Sequence, residues 1–190
     1  MKHLRGTIVS LLRSAVLDAD LAALVWLLLE GSVPTHVAAP ERADAESVAV
    51  ALRELAGGNV GAVTSGVGGS LEDVVRLPVP LRPATGVVIV LRDDRVAAAH
   101  LLRPPLRDAG GHVRPQAPAV LATWDGRDRV WEHFAWALAP ELGEAVGRPA
   151  GDVEIEQGRR REYLDALATA GLDTPEQLQA ALAGYRLRAG

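Results

Sequence analysis

The segment from residue 33 to residue 56 constrains the fold most, because it carries the signals of a strand, a turn and a helix in direct succession. A predicted strand at 33–38 is followed by Pro40 and then by a helical pattern of Ala, Val and Leu that ends before Gly57 and Gly58. Proline suits the first position of a helix, acidic residues suit its first turn, and glycine suits its end. A strand that leads straight into a helix is typical of α/β domains. We therefore predict an α/β fold.

The same segment has the order of strand, turn and helix that a phosphate-binding loop requires, but it lacks the residues that bind the nucleotide. In the motif G-x-x-x-x-G-K-[ST] a strand runs through a glycine-rich turn into a helix. With Ala39 in the first position, the last three positions fall on Asp44, Ala45 and Glu46. The lysine that neutralises the phosphates and the hydroxyl that binds Mg²⁺ are therefore missing, and carboxylates stand where phosphates would lie. We predict a degenerate loop, in what is otherwise an ordinary βα unit.

Two alternatives keep nucleotide or anion binding open. Arg42 would have to fold back to replace the lysine, and Ser47 would serve as the hydroxyl in a turn one residue longer. A second glycine-rich loop precedes the helix expected at 71–77, and such helix starts bind anions. The candidate nucleotide or anion residues are Arg42, Asp44, Ser47, Ser65, Gly66, Gly68, Gly69 and Ser70.

Composition excludes several classes of function. The chain has 190 residues, no cysteine and a net charge of −4, so disulfides, thiolate chemistry and a global basic field for nucleic acid are absent. The most apolar run, 21–29, is about half the length that a bilayer requires. No signal peptide is evident, and the lack of cysteine fits a reducing compartment. We expect a cytoplasmic protein without membrane insertion.

The remaining pattern predicts three parts of one compact unit. Helices occupy 1–31, the α/β core with its hairpins occupies 32–136, and a helical segment occupies 137–190. Prolines interrupt the chain from 78 to 83, and hairpins are expected at 86–102 and 119–135, the first with Asp93 and Asp94 in its turn. Asp18 should cap a helix that runs to Glu30, and Ser70 with Asp73 should form a capping box for the helix at 71–77. A long loop is expected at 104–118. A charged helix and one capped by Thr174 should end the chain as a pair.

Aromatic residues concentrate in the second hairpin, as Trp124, Trp131, Phe134 and Trp136. Neighbouring charges alternate in sign, so base stacking with nucleic acid is disfavoured relative to packing or protein docking. We predict an interaction surface here, for a protein partner or a second copy of the chain.

Other polar groups indicate no further site. His100, His112 and His133, with Asp125 or Glu132, have no ligand spacing, so we expect no metal. The run 159–161 of three arginines lies among acidic residues at helical spacing, which indicates a solvated face rather than an RNA or membrane site.

The order of segments resembles the nucleotide-binding domain of the type II/type IV secretion and pilus-assembly ATPases. The residues that carry the resemblance lie in three stretches, 24–33 with 47–52, 61–75, and 86–92 with 95–100. The family's histidine is missing near Gly66, and no strand with the acidic Walker B residue follows Leu52. The resemblance implies a P-loop NTPase-like three-layer core that is truncated and lacks efficient hydrolysis.

These observations predict an interaction or regulatory module without catalytic residues or a bound cofactor. The alternatives are a weak ATPase that binds ATP and Mg²⁺, and an unrelated small α/β binding protein. If the protein is unrelated to the secretion ATPases, the strand at 33–38 should lie at an edge of the sheet.

Overall fold

A mixed sheet of six strands, in the order β2-β1-β3-β4-β7-β8, organises the molecule. The computed structural model describes residues 6–56, 63–65, 68–77 and 84–189. The strands are β1 (Thr35–Ala38), β2 (Val63–Ser65), β3 (Gly86–Arg92), β4 (Arg95–Leu102), β5 (Leu106–Arg107), β6 (Val113–Arg114), β7 (Ala119–Asp125) and β8 (Val130–His133). The helices are α1 (Ile8–Arg13), α2 (Ala19–Glu30), α3 (Arg42–Ala56), α4 (Leu71–Val75), α5 (Ala139–Val146), α6 (Ala150–Ala170) and α7 (Pro175–Ala189), with a 3₁₀ helix at Ala135–Leu138.

Strand β1 lies inside the sheet, between two parallel neighbours. It pairs with β2 on one side and with β3 on the other. The strands β4, β7 and β8 then extend the sheet by antiparallel pairing. This confirms a mixed α/β fold with antiparallel hairpins, and it places β1 away from the edge.

Local capping explains where several helices begin, as the sequence predicted. The Asp18 side chain accepts a hydrogen bond from the Leu21 amide at the start of α2. Ser70 and Asp73 form a reciprocal capping box at α4, and the Thr174 hydroxyl accepts from the Gln177 amide before α7. Each cap satisfies amides that the first helical turn leaves without partners.

Both predicted hairpins are confirmed. Between β3 and β4, Asp93 and Asp94 have φ values of 50° and 61°. Such left-handed pairs give tight two-residue turns whose twist matches that of the strands. The short pair β5 and β6 was not predicted; it projects from the segment expected to be a loop, with Leu106 and Val113 exposed.

The two faces of the sheet are covered unequally. Alternate residues such as Val37, Ile89 and Leu101 join the main hydrophobic core with the helices. The opposite face packs a smaller cluster, including Val88 and Val90, against α4. The alternation follows from the two-residue period of a strand.

The C-terminal helices pack back on the N-terminal ones, so the main core draws on all three predicted parts of the chain. The division at residues 31 and 136 stays a prediction. The prolines of 78–83 lie outside the described residues. Within the described part of the chain, no helix is long and apolar enough to cross a membrane.

Candidate functional site

The start of α3 differs from the geometry that the nucleotide motif requires. The helix begins at Arg42, so the connection from β1 consists only of Ala39–Glu41. Asp44, Ala45 and Glu46 therefore lie inside the helix, and only three residues are left for the phosphate-binding turn. A short turn of this kind offers few backbone amides to surround a phosphate.

The side chains of this helix start do not converge on a ligand site. Ala45, at the lysine position, has no exposed surface and belongs to the main core. The Ser47 hydroxyl donates to the Ala43 carbonyl at 2.9 Å within the same helix. Arg42 is exposed, and Asp44 lies in the first turn. A lysine at position 45 would point into the core, not toward a nucleotide.

The described part of the glycine-rich loop contacts the turn after β1. The Ala39 amide donates to the Gly68 carbonyl at 3.1 Å, and the backbone of Gly69 lies beside Pro40. Gly68 has a φ of 101°, which only glycine adopts readily. Ser65 ends β2, and Gly66 lies outside the described residues.

In the described part of this loop, an internal carboxylate already accepts hydrogen bonds from the amides of Gly69 and Ser70. The amides of Gly69 and Ser70 donate to Asp73 Oδ2 at 3.0 Å each, and the Ser70 hydroxyl donates to the same oxygen at 2.8 Å. The Ser70 hydrogen bond, with those of the two amides, lowers the pKa of Asp73. An incoming anion would have to displace this carboxylate and would meet its charge.

The four predicted aromatic residues separate into a packed pair and an exposed pair. Trp124 and Trp131 face each other across β7 and β8 with ring centroids 5.2 Å apart, and the Arg95 guanidinium lies 4.4 Å from the Trp124 ring centre. Trp131 also packs against the main core. Phe134 is 37% exposed and Trp136 is 71% exposed.

We call Phe134 and Trp136 the aromatic ridge; it lies on the 3₁₀ turn after β8. On the Phe134 side is a shallow hollow lined by Arg103, Pro118, Ala119, Val120, Thr123, Ala137 and Leu138. Val120 is itself 37% exposed. On the other side, Trp136 borders a small cavity of about 190 Å³. Exposed aromatic residues beside a concave apolar surface are typical of protein docking sites.

His133 anchors the ridge to the helical layer. Its Nε2 lies 2.7 Å from Asp18 Oδ2, at the cap of α2. The hydrogen bond that the His133 ring donates to the Asp18 carboxylate raises the pKa of His133, against the effect of burial. Next to this pair, Gln157 Nε2 donates to Asp20 Oδ1 at 2.7 Å, and Arg161 lies 3.7 Å from Asp20. These polar groups satisfy one another, so the small cavity holds a structural network.

The interpretation of the arginine run as a solvated face is wrong for its central residue. Arg160 is only 4% exposed, and it binds Glu156 Oε1 at 2.8 Å and Glu30 Oε2 at 2.7 Å. Helix α2 covers this side of α6, so the i, i+4 pair is buried between helices. Arg159 remains exposed, as expected, with 70% of its side chain accessible.

The buried network continues into aromatic side chains. The Arg160 guanidinium lies 4.6 Å from the Trp26 ring centre, and the Tyr185 hydroxyl donates to Glu156 Oε1 at 3.1 Å. Burial alone would raise the pKa of Glu156, but the hydrogen bonds and charge of Arg160 with the Tyr185 hydroxyl lower it. Sequence spacing gave no sign of this network, which joins α2, α6 and α7.

The structure keeps the candidate histidines apart. His100 lies on β4 opposite Val88, His112 pairs with Asp108 beside β6, and His133 binds Asp18. Burial lowers the pKa of His100, as it does for His36 on β1. Among the residues that the structure describes, no group of three potential ligands could hold a metal.

A scan against models of known protein families found no match. A search of curated proteins also found none. The likeness to the secretion ATPases therefore rests on the three sequence stretches alone.

Proposed function

We propose that this protein is a non-hydrolytic binding module, a degenerate relative of the secretion and pilus-assembly ATPases that recognises a protein partner. The observation that carries the proposal is the burial of Ala45, because the lysine position of the nucleotide motif faces the main core and offers no charge to a phosphate. The position of β1 inside a set of parallel strands supports the degenerate origin, since an accidental likeness predicted an edge strand.

The aromatic ridge supplies the docking surface in this proposal. Phe134 and Trp136 expose rings that lose little conformational entropy on binding, and the hollow beside Phe134 can accept an apolar side chain of the partner. The packed pair of Trp124 and Trp131 holds the hairpin rigid, so the ridge is presented in a fixed orientation.

The test compares partner binding by the wild type and by two single variants. Trp136→Ser removes the most exposed ring of the ridge. Leu187→Ser is the control, because Leu187 is an apolar side chain on α7 that is 86% exposed and lies outside the ridge. A partner recovered from the cells that make this protein, then purified, is titrated against all three. We expect Trp136→Ser to weaken the affinity about tenfold or more, as a hot-spot residue does, and Leu187→Ser to leave it unchanged. Equal affinities of the three proteins would contradict a docking role for the ridge.

The alternative functions give different results in a separate titration. A weak ATPase predicts that ATP with Mg²⁺ raises the melting temperature, because a ligand that binds only the folded state stabilises it. An Arg42→Ala, Ser47→Ala variant would then lose that shift. Our proposal predicts no shift in either protein.

A further inference from the structure

A cleft opens at the amino ends of β1 and β3. The degenerate nucleotide loop lies at the other end of these strands, after the carboxyl end of β1. It measures about 640 Å³, and its lining includes Val33, Leu101, Leu102, Arg103, Leu106 and Glu144. Volumes of roughly 300–1,000 Å³ are typical of sites for small organic molecules.

The floor of the cleft is apolar and its outer wall is held in place. Val33, Leu101 and Leu102 form the floor and are at most 5% exposed. The wall comes from the segment around β5, where Leu106 is 59% exposed. Gln116 Nε2 donates to the Pro104 carbonyl at 2.7 Å and so fixes this segment. A ligand with an apolar body would cover Leu106, which water contacts in the free protein.

Two helix C-termini lie beside the cleft. Helix α2 ends immediately before Ser32, and Glu144 and Ala145 lie in the last turn of α5. The two helix ends are in contact, since a Cβ at Gly31 would lie 2.6 Å from Val146 Cγ1. Helix α5 has no basic residue in its last turn, whereas Glu30 at the end of α2 is paired with Arg160 and Arg186. Helix C-termini carry partial negative charge and favour cations.

The charged side chains of the cleft reinforce this preference. Arg103 Nε lies 3.3 Å from Glu141 Oε2, so these two charges largely cancel. Glu144 forms no ion pair with any described side chain. Its exposed carboxylate lies in the last turn of α5, and both the carboxylate and a helix C-terminus favour a cation.

We propose that this cleft binds a small organic cation, an ammonium group attached to an apolar body. The ammonium donates to the Glu144 carboxylate at the C-terminus of α5, and the apolar body lies against Leu101, Leu102 and Leu106. This site is separate from the aromatic ridge, and it does not depend on the function proposed above.

The test uses three probes with one hydrocarbon chain and different head groups: hexylammonium, hexanol and hexanoate. Each is titrated into the ¹⁵N-labelled full chain, and amide shifts are followed by NMR. We expect hexylammonium to bind in the millimolar range, with shifts confined to residues around β5, the end of β4 and α5. Hexanol should bind at least about threefold more weakly than hexylammonium. Hexanoate should not bind, because the Glu144 carboxylate repels its negative charge.

Glu144→Gln separates recognition from folding. Removal of a like charge from the helix end should raise Tm by about 1–3 °C, while hexylammonium affinity falls about threefold or more. Glu162→Gln, an exposed carboxylate on α6, is the control and should change neither quantity. Leu106→Ser should weaken all probes that bind. Hexanoate binding as tight as that of hexylammonium, or an unchanged affinity in Glu144→Gln, would overturn the proposal.

Discussion

Ala45→Lys restores the lysine of the nucleotide motif, and the structure predicts that it destabilises the fold rather than repairs a site. Ala45 has no exposed surface and packs in the main core on the inner side of α3. A lysine there must either remain charged without water or lose its proton. Loss of the proton at pH 7 from a side chain of ordinary pKa near 10.4 costs about 4.6 kcal/mol. Overpacking by the added methylenes costs about 1–3 kcal/mol more.

Escape of the ammonium toward the surface would reduce these costs, so we expect a loss of about 4–6 kcal/mol. For a domain of this size that corresponds to a fall in Tm of roughly 10–20 °C. Urea unfolding followed by circular dichroism measures the loss. Ala43→Lys is the matched control, because Ala43 is exposed in the first turn of the same helix. It should cost at most about 1 kcal/mol, from the helix dipole.

The reasoning would be refuted if Ala45→Lys were as stable as Ala43→Lys and bound ATP in the presence of Mg²⁺. That outcome would mean that the side chain at position 45 faces a ligand pocket and that the helix start is a working phosphate loop.

Two further predictions concern the polar networks of the helical layer. Arg160→Met should lower the free energy of unfolding by about 3–5 kcal/mol in urea, because it leaves Glu30 and Glu156 without their buried partner, whereas Arg159→Met should change it by about 0.5 kcal/mol or less; equal effects would contradict the buried network. His133→Gln should cost more stability at pH 6 than at pH 9. The bond to Asp18 raises the folded pKa of His133 above its ordinary 6.5, so its contribution is complete below pH 6.5 and is lost as pH rises through the folded pKa. A difference in Tm that stays constant from pH 6 to pH 9 would refute this linkage.

The elements that sequence predicted well are those whose signals are local. Asp18 before α2, the Ser70 and Asp73 capping box, and the Asp93–Asp94 turn each act within a few residues, so the pattern alone locates them.

Long-range packing decided what sequence could not show. Charges at i, i+4 look the same on a solvated helix and on one covered by a second helix, and Arg160 meets Glu30 across 130 positions of the chain. His133 and Asp18 are likewise 115 positions apart. Matching the nucleotide motif to the sequence does not show where α3 begins. Because the helix begins at Arg42, Ala45 faces the core.

Calorimetric titration of the wild-type protein with ATP in the presence of Mg²⁺ tests the central claim most directly. A binding module that lacks a phosphate loop should release no heat beyond that of dilution, up to millimolar nucleotide. Saturable, Mg²⁺-dependent binding that disappears in the Arg42→Ala, Ser47→Ala variant would contradict the account and show that the start of α3 holds a nucleotide.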